Sequence, residues 1–284
     1  MTGSVFMKKF AAISLASLLV FGSAQTALAK VIPYNLSTQG NLDITDSGDK
    51  YIVTSYGETS NVITVSDGVK TYIVLKGVTI ETTDVNGISI GKNADVVLKL
   101  SGDNSITVNT KSKYEAKAGI NVAEGDLTIK GGDTDSLTVK VVNTGYLSDG
   151  ADGAAIGSDE GQDFNGNIII DGGYITAESE YGAGIGSGYD GDMSGSIAIS
   201  GGTVKAESDY GGAGIGSGND GDMSGSITIS GGTVKAVSEY FGAGIGAGDY
   251  GSVTEKGRIT IGGNADVTAE SLSGLGIGSG DYGN

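Results

Sequence analysis

From residue 153 onward the chain repeats a single unit: Gly-Ala-Gly-Ile-Gly, an acidic glycine loop, Gly-Ser-Ile-x-Ile-Ser-Gly-Gly-Thr-Val, then Ala-x-Ser-acid-Tyr. Its anchor isoleucines, Ile156, Ile185, Ile215, Ile245 and Ile277, recur at intervals of 29, 30, 30 and 32 residues. A fixed period of that length means one structural turn per unit, each turn burying its apolar face on the next. Within a unit, Ser196-Ile197-Ala198-Ile199-Ser200 alternates with a period of two, which puts Ile197 and Ile199 on one face. Gly201-Gly202 supplies a corner, and Thr203 to Glu207 alternates again with Val204 and Ala206 inward and Lys205 and Glu207 outward. Gly212-Ala213-Gly214-Ile215 adds a third short inward pair, so six small or branched apolar side chains face inward per turn.

Corresponding residues of successive units match. Ile168 and Ile170, Ile197 and Ile199, Ile227 and Ile229, and Ile259 and Ile261 predict two continuous isoleucine ladders, because neighbouring turns of a parallel β-helix lie roughly 4.8 Å apart. The fold class is therefore all-β, a parallel β-helix solenoid with about 30 residues per turn in this half; right-handed winding is taken by analogy with other such folds. A β-propeller is the competing architecture, but its blades need four strands in about 40 residues, and three short strands per unit are visible here. Residues 40–152 are a less regular version of the same solenoid, in which Ile88 and Ile120 continue the anchor at spacings of 32 and 36. The wider spacings predict insertions at the lysine-rich Asn109–Lys117 and the Asp- and Gly-rich Asn143–Gly153.

Lys8 and Lys9, an apolar run from Phe10 to Phe21 and the Ala27-Leu28-Ala29 triplet predict a signal peptide over residues 1–29, cleaved before Lys30. No second apolar stretch follows, so no membrane span is expected after cleavage. The remainder, residues 30–284, reads as one β-helix domain, with regular repeats over 153–284. It stops in mid-unit after Ile277, which predicts a truncated reading frame. Loss of the leader removes two lysines and no acids and takes the net charge from −17 to −19. Such a surface argues against nucleic acid and anionic membrane as partners and favours cations or a solvated extracellular setting. The absence of cysteine excludes disulfides and a lipid-anchored lipoprotein.

Val96 to Ile106, Leu127-Thr128-Ile129-Lys130-Gly131-Gly132, and the GAGIGSG and ITISGGTV units resemble the repeats of secreted and surface-attached bacterial β-helix proteins. They are similar to a calcium- and carbohydrate-binding β-helix family of cellulose-degrading and related Gram-positive bacteria. The resemblance spans most of residues 40–284 and rests on ladder and corner positions. It implies secretion to the outside of a Gram-positive-type cell or to its surface, with calcium and acidic sugars as ligands.

Asp190, Asp192 and Ser194, and again Asp220, Asp222 and Ser224, present oxygen ligands at alternating positions before a glycine, as in the first half of an EF-hand loop. The bidentate acid of position twelve is replaced by Gly201 and Gly231, so backbone carbonyls or an adjacent turn would have to complete a calcium site. The preceding unit keeps Asp163 and Asn165. Equally, these are ordinary turn residues. A second candidate is the column Glu180-Tyr181, Asp209-Tyr210 and Glu239-Tyr240, where stacked tyrosines form a platform for sugar rings or simply stabilise the solenoid edge. Extracellular polysaccharide or cell-wall glycan is the expected partner, and an adhesin or matrix stalk without glycan binding is the alternative. A polysaccharide lyase is a further alternative, but histidine and cysteine are absent and the basic candidates are Arg258, Lys205 and Lys235, so no catalytic residue is assigned.

Overall fold

The computed structural model describes residues 29–111, 115–145 and 152–283. The predicted signal peptide therefore lies outside the described residues except for Ala29, as do 112–114 and 146–151 within the two predicted insertions.

The chain winds as a parallel β-helix. Period-two alternation sets each strand's inward face, and the strand Ser196–Ser208 buries Ile197, Ile199, Val204 and Ala206 while its intervening residues are more exposed. Its neighbours lie in register on both sides, Ile168↔Ile197↔Ile227↔Ile259 and Ile170↔Ile199↔Ile229↔Ile261, all parallel. The two predicted isoleucine ladders therefore form. The glycine pair bends the strand without always interrupting it: Asn167–Ser179 and Ser196–Ser208 run through the corner with a register shift, whereas Ser226–Ile229 and Thr233–Ser238 are separate. Gly173, Gly202 and Gly232 take φ values of 93°, 83° and 81° at this bend, a region disfavoured for residues with a Cβ.

Among the described residues a second sheet consists of nine very short strands carrying the anchor. It extends the predicted anchor column backward, Leu42↔Ile63↔Ile88↔Ile120, and forward through Ile156, Ile185, Ile215, Ile245 and Ile277. The first coils are shorter than the later ones, with 21 residues from Leu42 to Ile63 and 25 from Ile63 to Ile88. A one-turn helix, Leu36–Gln39, precedes them and places Leu36 in the core.

The count of six inward side chains per coil requires correction. Phe164, Met193, Met223 and Val253 form a fourth column of parallel bridges, and the first three are fully buried. The methionines lie inside the Asp-Gly-Asp-Met-Ser-Gly segments read as candidate calcium loops, so each loop contributes a core residue from its centre. Buried serines add a polar layer. Ser187 Oγ donates to Gly191 O at 2.6 Å and accepts Gly218 N–H at 3.0 Å; Ser217 accepts Gly248 N–H at 3.0 Å in the next coil. Ser187→Ala removes one acceptor and one donor from a fully buried position. It should cost about 1–3 kcal/mol, checked by urea unfolding, while Ser230→Ala on the exposed corner should be within about 0.5 kcal/mol of the parent.

Candidate functional site

The candidate calcium ligands fall into three parallel columns. Asp190 and Asp220 occupy left-handed turn positions, φ 57° and 63°, in line with Gly161 at 65° and Tyr250 at 59°. Short Asp side chains tolerate this conformation better than most, so the turn itself accounts for these two residues. Asp163, Asp192 and Asp222 form the second column, and each uses a carboxylate oxygen on the next coil's backbone. Asp163 Oδ1 accepts Asp192 N–H at 3.0 Å, Asp192 Oδ1 accepts Asp222 N–H at 2.8 Å, and Asp222 Oδ1 accepts Ser252 N–H at 2.8 Å. The third column brings the Ser194 and Ser224 hydroxyls to 2.9 Å of one another, and Asn165 precedes them with an exposed side chain.

Among the described residues no three acidic side chains gather to hold a metal. The donors suit calcium in kind, being all oxygen, and would need carbonyls and water to reach six or more ligands. Because the Asp192 and Asp222 carboxylates accept charge-assisted hydrogen bonds, the Asp192→Ala/Asp222→Ala variant should melt below the parent even in chelator, at about 1–2 kcal/mol per site. An unchanged melting temperature in chelator would show that these bonds contribute nothing to stability.

The tyrosine column is assembled by the turn after each coil's second inward strand, Tyr-Ile-Thr-Ala before Tyr181 and Thr-Val-Lys-Ala before Tyr210 and Tyr240. Ring centroids lie 4.9 Å apart for Tyr181 and Tyr210 and 5.4 Å apart for Tyr210 and Tyr240, with interplanar angles of 39° and 40°. Rings so close and so tilted turn much of their faces toward one another, and the row presents edges and phenol hydroxyls rather than one flat surface. Tyr189 packs edge-on against Tyr181, and Phe241 contacts both Tyr210 and Tyr240, extending the row to five rings. Tyr210 and Tyr240 remain 43% and 45% exposed, enough to contact a ligand. Glu180, Asp209 and Glu239 run alongside. Burial, followed by the charge of Asp209, raises the Glu180 carboxyl above its ordinary range. Burial, followed by Glu207, Glu178 and Glu239, does the same to Asp209.

The two candidate lysines are committed to ion pairs. Lys205 Nζ lies 2.6 Å from Glu207 and 3.5 Å from Glu178, and Lys235 lies 3.4 Å from Glu270. Its hydrogen bond to Glu207 raises the Lys205 pKa, which is opposite to what a proton-abstracting base requires. Arg258 donates to the carbonyls of Glu255 and Gly257.

One residue that the sequence reading passed over stands out. Asp152 is fully buried and neither carboxylate oxygen has a hydrogen-bond partner. It lies four residues before its anchor Ile156, where other coils carry Tyr181, Gly211 and Phe241; aligning the units on the anchor would have exposed the substitution. Burial, then Glu180 and more weakly Glu160, pushes its carboxyl up to about 7; the nearby Thr110 hydroxyl and Tyr181 amide oppose this without reaching hydrogen-bonding geometry. A raised carboxyl pKa means that the folded state holds its proton after the unfolded state has released it. The metal-free protein should therefore lose stability between about pH 4 and about pH 7, on the order of 4 kcal/mol in all, and no more from this residue above that range. Melting curves from pH 5 to 8 in chelator check this, and Asp152→Asn should flatten the decline.

A protein-family model described as Beta helix repeat matches residues 168–189, 197–219 and 227–249. Each match begins on the first inward isoleucine of a coil, Ile168, Ile197 or Ile227, and ends in the acidic loop. No curated protein and no solved structure matches the chain.

Proposed function

We propose that this parallel β-helix is a secreted or cell-surface binding module that holds extracellular polysaccharide along its tyrosine–carboxylate column, with calcium as an accessory ion. The observation that carries this reading is the column itself: Tyr181, Tyr210 and Tyr240 at coil spacing, flanked by Glu180, Asp209 and Glu239 whose charges oppose one another. Phenol hydroxyls and carboxylates are apt acceptors for sugar hydroxyls, and a row of about 10 Å favours chains over monosaccharides. Carboxylates on that row repel uronates, so acidic glycans require a bridging cation whereas neutral glucans do not. Export is supported by the sequence of residues 1–29, and the acidic surface suits the outside of a cell.

A glycan array probed with and without chelator tests the reading. Calcium-dependent binding to polyuronates with calcium-independent binding to glucans is expected. Silence under both conditions would favour a structural stalk, a reading supported by the tilt of the rings onto each other and the use of Asp192 and Asp222 as backbone acceptors. Release of unsaturated sugars would favour a lyase.

A further inference from the structure

Two acids are buried among the described residues, Asp152 and Asp249. Asp249 accepts the Tyr250 N–H at 3.0 Å, whereas both oxygens of Asp152 are without a partner. The Thr110 hydroxyl, also fully buried and also without a partner, is among the groups acting on that carboxylate although it lies 42 residues earlier in the chain. A fully buried carboxylate without a well-formed hydrogen bond is among the costliest things a fold can bury, and a second unsatisfied oxygen beside it compounds the cost. Glu180 and Glu160 add negative potential at the same place, and no cationic side chain is among the principal groups that act on Asp152. Lys117 pairs with Asp159 at 3.2 Å.

We propose that Asp152 and Thr110 form a buried site for one hard, oxygen-preferring cation of the calcium class, set between coils at the junction of the irregular and regular halves. A water molecule would satisfy the hydroxyl but leave the charge uncompensated; a divalent ion does both and also offsets Glu180. With a single fully buried carboxylate, the remaining ligands are neutral oxygens and water, in keeping with calcium's tolerance of mixed and irregular coordination. The site is distinct from the Asp192 and Asp222 columns and does not rest on glycan binding. Its role is to tie the end of the strand Asp103–Thr110 to the start of the regular coils, because Thr110 supplies one ligand oxygen and Asp152 the others.

The test uses the whole chain at pH 8, with bound calcium and melting temperature measured for the parent, Asp152→Asn and the Asp192→Ala/Asp222→Ala pair. Calcium at a hundredfold excess over Kd should raise the parent melting temperature by about 5–10 °C, with magnesium doing less. Asp152→Asn should lose one equivalent of bound calcium and the associated gain, and the paired loop variant should keep both. Retention of the full calcium content and gain in Asp152→Asn overturns the proposal, and loss in the loop pair alone would assign the ion to the loops instead. A parent whose stability falls with pH and ignores calcium would show that a proton is the occupant, which also overturns it. Should Asp152→Asn not fold, Thr110→Val keeps the carboxylate and the side-chain shape. Its calcium affinity should fall about tenfold, and an unchanged affinity would refute the site.

Discussion

Gly186→Ala and Gly216→Ala should abolish folding, or lower stability by more than about 5 kcal/mol, despite adding one methyl group each. Both glycines follow an anchor isoleucine in a left-handed region, φ 141° and 146°. A Cβ built on either meets the carbonyl oxygen of the equivalent glycine one coil on at 1.7 Å. That oxygen belongs to the anchor sheet: Gly216 O accepts the Ser187 N–H at 3.1 Å and Gly246 O the Ser217 N–H at 3.0 Å. The clash cannot be relieved by a side-chain rotation, only by separating two coils. Gly68 and Gly77 provide the control. They also have positive φ, 69° and 63°, but an added Cβ meets nothing within 4 Å, so alanine there should cost only about 1 kcal/mol of conformational strain. Soluble yield and guanidinium unfolding separate the two classes. Equal stability of Gly216→Ala and Gly77→Ala would mean that the coils do not stack as closely as described.

Ile199→Asp and Ile229→Asp should each cost more than about 4 kcal/mol. Both isoleucines are fully buried, and each is bracketed by isoleucines of the adjoining coils, so the introduced charge has neither partner nor water. Thr228→Asp, one residue away on the outward face, should stay within about 1 kcal/mol of the parent. Comparable melting temperatures for Thr228→Asp and Ile229→Asp would contradict the strand facing.

The isoleucine prediction draws on the part of the fold that was most legible, whereas the close approach at Gly186 and Gly216 is visible only in the structure. Ile197 and Ile199 could be placed inward because strand alternation is local, and they could be stacked on Ile227 and Ile229 because identical spacing leaves a single register. Met193 was harder to place. Its neighbours Asp192 and Ser194 give a loop-like oxygen pattern, and what buries it is a bridge to Met223 in the next coil, a contact with no local sequence signature. The acids show a related ambiguity: a carboxylate repeated every 30 residues has the same pattern whether it binds an ion or, as Asp192 does, accepts the next coil's N–H. Asp152 is hard to single out because it reads as one more acid of the Asp- and Gly-rich Asn143–Gly153 insertion, and its alignment with Tyr181 shows only when the units are counted back from the anchor. The tyrosine column was legible as a row, but the tilt of its rings depends on packing that spacing alone does not determine.

The most direct measurement of the proposed function is the affinity of the Tyr181→Ala/Tyr210→Ala/Tyr240→Ala variant for the glycan that the parent binds, with circular dichroism and melting temperature confirming an intact solenoid. If the column is the binding surface, affinity should fall at least tenfold in this variant, and Tyr210→Ala, which removes the central ring, should be the most damaging of the single changes. Full glycan affinity in a folded triple variant would contradict the account.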